Sequence, residues 1–173
     1  LGVMHSSGEL IARMDADDIS LPDRIEKQVE YFTNHSVDIL GTNYITIDEK
    51  NFNKGKSDLP LNNIQIRKAL KYRNVICHPS VMFKRSAFIK NNGYLGKKFS
   101  EDYDLWIRMA RDEQIKFANM ELPLLKYRGH SHGQAKGNKI GYAETAGTQL
   151  TEFLLSQHLS YFFGTVLTCI KFF

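Results

Sequence analysis

Three carboxylates fall within four residues at Asp15-Ala16-Asp17-Asp18, directly after the mostly apolar run from Glu9 to Met14. Mutual repulsion makes such a cluster costly unless solvent or a cation compensates, and a hard divalent ion with oxygen ligands would do so. On an extended segment Asp15 and Asp17 project to the same side, where they could address one metal and one ligand hydroxyl together. Two other readings stand beside this one. The acids could cap a helix from a solvated turn, or they could open an EF-hand, since Glu26 sits twelve positions in. Ile19, Ser20 and Pro22 break the pattern that an EF-hand loop requires.

The remaining chemistry-bearing residues are more scattered. Glu101 and Asp102 open a helix-like segment from Asp102 to Arg111, with Leu105, Trp106 and Met109 on one face, and the helix dipole favours carboxylates there. His78 lies between Cys77 and Pro79 with no partner spacing that specifies a nucleophile or a metal site. His130 and His132 form an HxH pair that could chelate a metal if extended. His5, His35 and His158 read as surface or packing residues. Trp106 is the sole tryptophan, and its helical spacing favours a core position over a wall of a substrate pocket.

These residues need elements to hold them. The run from Glu9 to Met14 predicts a buried strand whose carboxyl end carries the acids, the place where open α/β sheets put their ligands. Ser20-Leu21-Pro22-Asp23 has the pattern of a capping box, followed by a helix with Ile25, Val29 and Phe32 at helical spacing. Strands are expected at 37–42, 44–47, 80–83, 115–118 and 124–128, with an exposed turn over 48–57. Helices are expected over 62–72, from Ser86 to a stop at Asn91-Asn92-Gly93, and from about Ile140 onward. No internal repeat is present.

The chain has 173 residues, enough for one domain, and 42% hydrophobic with 24% charged residues excludes disorder and collagen-like repeats. Cys77 and Cys169 match neither a disulfide framework nor a CxxC metal site, so a reducing cytosol is the expected compartment. No stretch of about 20 apolar residues could span a bilayer. The tail from Leu159 to Phe173 has one charge and reads as a core helix, an interfacial anchor or part of a longer segment. Charge is uneven: residues 1–63 hold six Lys/Arg against eleven Asp/Glu, and residues 64–139 hold sixteen against six. An acidic front suited to a cation thus faces a basic back suited to phosphates, unless both are simply solvated. Nucleic acid is disfavoured, because the basic part lacks interleaved aromatic residues.

With its motifs taken together, the sequence resembles the family 2 glycosyltransferases, inverting enzymes of the GT-A fold that build bacterial surface glycans. The segment from Ile11 to Gln28 is similar to that family's DXD segment. Cys77-His78-Pro79-Ser80, Ser100 to Trp106, and Lys126-Tyr127-Arg128-Gly129-His130 match in order. The resemblance covers about residues 1–135 and implies an α/β GT-A domain there, followed by a helical extension over 136–173. It implies that Asp17 and Asp15 bind Mn2+ or Mg2+ with the diphosphate of a nucleotide-sugar donor, commonly a UDP-sugar, and that His130 completes this site. Arg128, Lys136 and Lys139 would contact phosphate. Asp102 matches the base that deprotonates the acceptor hydroxyl, with Glu101 as its companion. His78, Pro79, Ser80 and Trp106 would line the acceptor side.

The family's amino-terminal half, which holds the base of the nucleotide, has no counterpart here, so the sequence is expected to be a fragment with the metal and acceptor halves. The implied acceptor is a glycan or lipid-linked oligosaccharide, which would place the enzyme in the cytoplasm, peripheral at the inner face of the membrane. Two other functions fit the same residues: an inactive transferase remnant, and a non-enzymatic cation- or glycan-binding module.

Overall fold

The computed structural model describes residues 2–129 and 139–172. Its elements run α1 (Gly2–His5), β1 (Leu10–Ala12), β2 (Ile19–Ser20), α2 (Arg24–Asn34), β3 (Ile39–Ile47), β4 (Asn53–Lys56), α3 (Asn63–Leu70), a 3-10 turn (His78–Ser80), β5 (Met82–Lys84), α4 (Arg85–Lys90), α5 (Glu101–Met109), β6 (Phe117–Arg128), α6 (Lys139–Ser156) and α7 (Leu159–Phe172). The strands form one mixed sheet in the order β1-β5-β3-β6-β2, with β4 added to β3. Among the described residues only β3 and β6 run parallel; β1 and β3 both meet β5 antiparallel.

Helices cover both faces of this sheet, giving an α/β fold. On one face Ile39, Phe83 and Phe117 pack with Ile66 and Leu70 of α3, Leu105 and Trp106 of α5, and Tyr161 of α7. On the other, Val37, Leu40 and Ala118 pack beneath Tyr31 and Phe32 of α2. Burying these apolar side chains drives the assembly, at roughly 1.5–3 kcal/mol each.

Several expectations change in the folded chain. Ser20 does not cap α2: it lies in β2, paired with Leu125, and Asp23 occupies the cap position without a side-chain capping bond, its carboxylate pairing with Lys27 instead. The presumed turn over 48–57 contains β4, a hairpin partner of β3. The two segments at 115–118 and 124–128 form one strand. Pro123 interrupts them in sequence, and the β3–β6 register slips beside it to keep the pairing. In α2 the apolar spacing does not mark the buried face: Ile25 and Val29 are exposed, while Arg24 and Gln28 are buried.

Candidate active site

Antiparallel pairing of Ala12 with Met82 sets the end of β1 beside the start of β5, so the acidic segment emerges next to His78–Ser80. The Arg13 amide bonds to Val81 O at 3.0 Å and continues this pairing one residue further. Behind it lies a buried polar strut that local sequence patterning does not reveal. Arg24 donates to Arg13 O at 2.8 Å and to the Met14 sulfur at 3.4 Å, and Gln28 donates to Leu40 O and Ser80 O. The motif residues Arg24 and Gln28 therefore tie the acidic turn to the sheet, replacing carbonyl partners that burial takes from water.

In the acidic turn, ligand atoms of Asp15, Asp17 and Asp18 lie within 4.8 Å of one another. Asp15 accepts from Arg13 Nη1 at 2.6 Å. Asp18 is buried; its Oδ1 accepts the Arg128 amide at 2.7 Å, while its Oδ2 has no hydrogen-bond partner. Burial pushes the Asp18 carboxyl up to about 6, and the charges of Asp17 and Asp15 add to the rise against the Arg128 amide. An all-oxygen donor set with an orphaned buried carboxylate atom suits a hard divalent cation, which would favour the ionised form. His130, the expected further ligand, and His132 and Lys136 lie outside the described residues.

Arg128 is half-buried and meets protein acceptors. Its guanidinium donates to Asp17 O at 2.8 Å, to Asp48 O at 3.0 Å and to Asn51 Oδ1 at 2.9 Å. This ties the acidic turn to the β3–β4 hairpin. Nearly all of its donors are used on protein acceptors.

The second pair of acids stands at the first turn of α5. Asp102 Oδ1 accepts the Tyr103 amide at 2.7 Å, and Oδ2 accepts Asn74 Nδ2 at 2.6 Å. Burial pushes Asp102 up to about 6, the neighbouring Glu101 charge adds to this, and the Tyr103 and Asn74 bonds oppose it. His78 Nδ1 lies 4.0 Å from Glu101 Oε1, and its Nε2 lies 2.8 Å from the Tyr94 hydroxyl. Burial holds His78 down to about 3, helped by the charge of Arg13. The Cys77 thiol, pushed up to about 12 by burial, is no nucleophile at neutral pH.

Arg13 joins the two halves of this site. It pairs with Asp15, and its charge also acts on Asp18, His78, Tyr94 and Asp102. A cavity of about 780 Å³ is lined by Arg13, His78, Tyr94, Lys97 and Glu101, over the apolar Ile11 and Phe88. The other expected acceptor-side residues stand back from it. Pro79 and Ser80 are buried, with Ser80 Oγ bonded to the Thr42 amide and to Cys77 O. Trp106 is fully buried beneath His78, their rings 6.3 Å apart and edge-on, so it supports the site as core.

The chain has relatives among known proteins. The family model for glycosyl transferase family 2 matches residues 1–91, more than half of the chain. The chain belongs to glycosyl transferase family 2. This family 2 chain is 38% identical over 154 residues to the O-antigen biosynthesis glycosyltransferase WbnJ of Escherichia coli, covering 88% of the chain and 60% of WbnJ. It is 32% identical over 165 residues to an Escherichia coli UDP-Gal:alpha-D-GlcNAc-diphosphoundecaprenol beta-1,3-galactosyltransferase, covering 92% of the chain and 58% of that enzyme. The chain thus spans about three-fifths of the length of these relatives. The crystal structure of S. aureus TarS 1-349 in complex with UDP-GlcNAc superposes with a TM-score of 0.57 at 12% identity, over 86% of this chain and 44% of that one. The family 2 chain therefore has a GT-A-like fold with a helical carboxyl-terminal segment.

Proposed function

We propose that this chain carries the cation and acceptor sides of an inverting glycosyltransferase, which moves a sugar from a UDP-sugar to a glycan or lipid-linked acceptor in bacterial surface polysaccharide synthesis. The observation that carries this reading is the Asn74-anchored Asp102 carboxylate, which shares Arg13 as a neighbour with the Asp15–Asp17–Asp18 cluster. The names of the relatives support the class of donor and acceptor. Residues 1–135 act as the transferase portion and 136–173 as a helical extension.

In this mechanism Asp102, mostly ionised at neutral pH, accepts the proton of the acceptor hydroxyl as that oxygen attacks the anomeric carbon. The bond from that carbon to the donor diphosphate breaks, and the electron pair leaves with the diphosphate. Asp15, Asp17 and Asp18 would hold Mn2+ or Mg2+, and the ion would supply positive charge against the departing diphosphate. Arg13 keeps Asp15 oriented, and Glu101 keeps the Asp102 carboxyl basic.

Peripheral attachment to a membrane is part of the proposal. Among the described residues no helix is long and apolar enough to cross a bilayer. The hairpin of α6 and α7 instead turns polar groups inward, Thr148, Gln149, Glu152 and Thr168, and exposes Leu154, Leu155, Phe163, Leu167 and Ile170. Such a face suits the interfacial region of a bilayer.

The test is thermal unfolding with Mn2+ and UDP, since a ligand of the folded state must raise the midpoint. A Mn2+-dependent rise that Asp17→Ala removes supports the reading. No rise in the wild type counts against a diphosphate site in this chain, and a rise with no transfer to any glycan favours a binding module or an inactive remnant.

A further inference from the structure

We propose that Tyr94 is a positioning residue on the acceptor side, acting through His78 upon Glu101. The inference rests on the reading of Glu101 and Asp102 as the acceptor-activating pair.

Tyr94 stands on a loop whose shape is set at both ends. At one end Asn92 and Gly93 adopt φ of 59° and 54°, and a Cβ at Gly93 would meet the Phe88 ring at 2.6 Å, so only glycine fits. The Arg108 guanidinium donates to Asn91 O and Gly93 O there. At the other end Glu144 holds the amides of Lys98, Phe99 and Ser100. Between these anchors the Tyr94 ring packs edge-on against Phe88 and against His78, with centroids 5.2 Å and 5.6 Å away. Its hydroxyl therefore reaches His78 Nε2, at 2.8 Å, from a fixed direction.

The tautomer of His78 follows from its partners. The Glu101 carboxylate, an acceptor 4.0 Å from Nδ1 and beyond direct hydrogen-bond distance, favours the proton on that nitrogen. Nε2 is then an acceptor, which the Tyr94 hydroxyl fills by donating. The charged groups that share the cavity with the ring are Arg13 from the β1 side, Glu101 from α5 and Lys97, and Trp106 closes it from beneath. In this arrangement His78 stays neutral and presents one N–H toward Glu101. The Glu101 carboxylate thereby keeps its place beside Asp102. Removing the Tyr94 hydroxyl leaves Nε2 without its partner and frees the ring to turn, which takes its N–H away from Glu101.

The experiment is 15N NMR of the His78 imidazole in the whole chain from pH 5 to 8, for wild type and Tyr94→Phe. It is paired with transfer from UDP-galactose to a GlcNAc-terminated lipid diphosphate. The wild type is expected to show the Nδ1–H tautomer throughout. Tyr94→Phe is expected to lose that preference and to lower kcat/KM for the acceptor at least tenfold, with UDP·Mn2+ affinity within twofold of wild type. His78→Asn, which keeps an N–H at the Nδ1 position, should retain more transfer than His78→Ala. An Nε2–H tautomer in the wild type overturns the proposal, and so does a Tyr94→Phe variant with unchanged acceptor kcat/KM. A wild type that transfers no sugar counts against the transferase reading instead, and the tautomer spectra then decide the Tyr94–His78 relation alone.

Discussion

Glu144 Oε2 accepts hydrogen bonds from both the amide and the hydroxyl of Ser100, at 3.1 Å and 3.2 Å. The Ser100 side chain makes no capping bond of its own, so a carboxylate from α6 supplies the cap for the helix that begins with Glu101 and Asp102. The same carboxylate takes the amides of Lys98 and Phe99. A helix distant in sequence thereby fixes the approach to the proposed catalytic pair.

Glu144→Ala should remove this cap and cost about 1–2 kcal/mol, which lowers Tm by roughly 2–4 °C per kcal/mol. Burial alone would raise the Glu144 carboxyl, but the amide bonds outweigh it and hold the group below its ordinary value of 4.5. A depressed carboxyl contributes stability that is present above the unfolded pKa and lost as pH falls through the folded one. The gap in Tm between variant and wild type is therefore expected in full at pH 7 and reduced near pH 3.

Asp102→Asn should reduce transfer by about 10²–10⁴-fold while the Mn2+- and UDP-dependent thermal shift persists. The folded Asp102 carboxyl is raised to about 6 from 3.8. A raised acid favours the folded state below the unfolded pKa and loses that contribution as pH rises through about 6. The variant should thus gain Tm relative to wild type at pH 8 and show little difference at pH 4. Thermal scans at the two pH values check the sign.

Asn74→Ala removes a hydrogen bond that favours the ionised form of Asp102. The acid limb of kcat/KM, expected near pH 6 in the wild type, should move upward by roughly half to one unit. A limb that stays in place would show that another group controls the rate.

Arg24→Ala should destabilise the fold by about 3–5 kcal/mol, because it strips donors from the buried Arg13 and Val81 carbonyls and leaves space behind the acidic turn. Mn2+ affinity should fall along with stability, although Arg24 supplies no ligand atom. Arg24→Lys keeps the charge but not the forked geometry and should recover only part of the loss. Calorimetry with and without Mn2+ separates the two effects.

The local units were legible in the residues alone. An apolar run ending in acids yields β1 and its acidic turn, although β1 is a half-exposed edge strand rather than the buried one expected, a helix forms within 62–72, and the dipole end of α5 carries Glu101 and Asp102. Each of these depends on neighbours within a few residues, which spacing records. Tertiary structure decided what those units touch. Arg24 and Gln28 look like outward residues on an amphipathic helix, yet they are buried because carbonyls of Arg13, Leu40 and Ser80 await donors there. Arg128 is expected to meet phosphate, and the structure adds what its motif does not show: its guanidinium also ties Asp17, Asp48 and Asn51 together once β6 is paired with β3. The joining of the acidic turn to the Asp102 side through Arg13 and His78 likewise needs β1 and β5 to pair antiparallel. Hydrogen-bond partners far apart in sequence leave no periodic trace, so only the folded chain reveals which polar residue is a strut and which is left for chemistry.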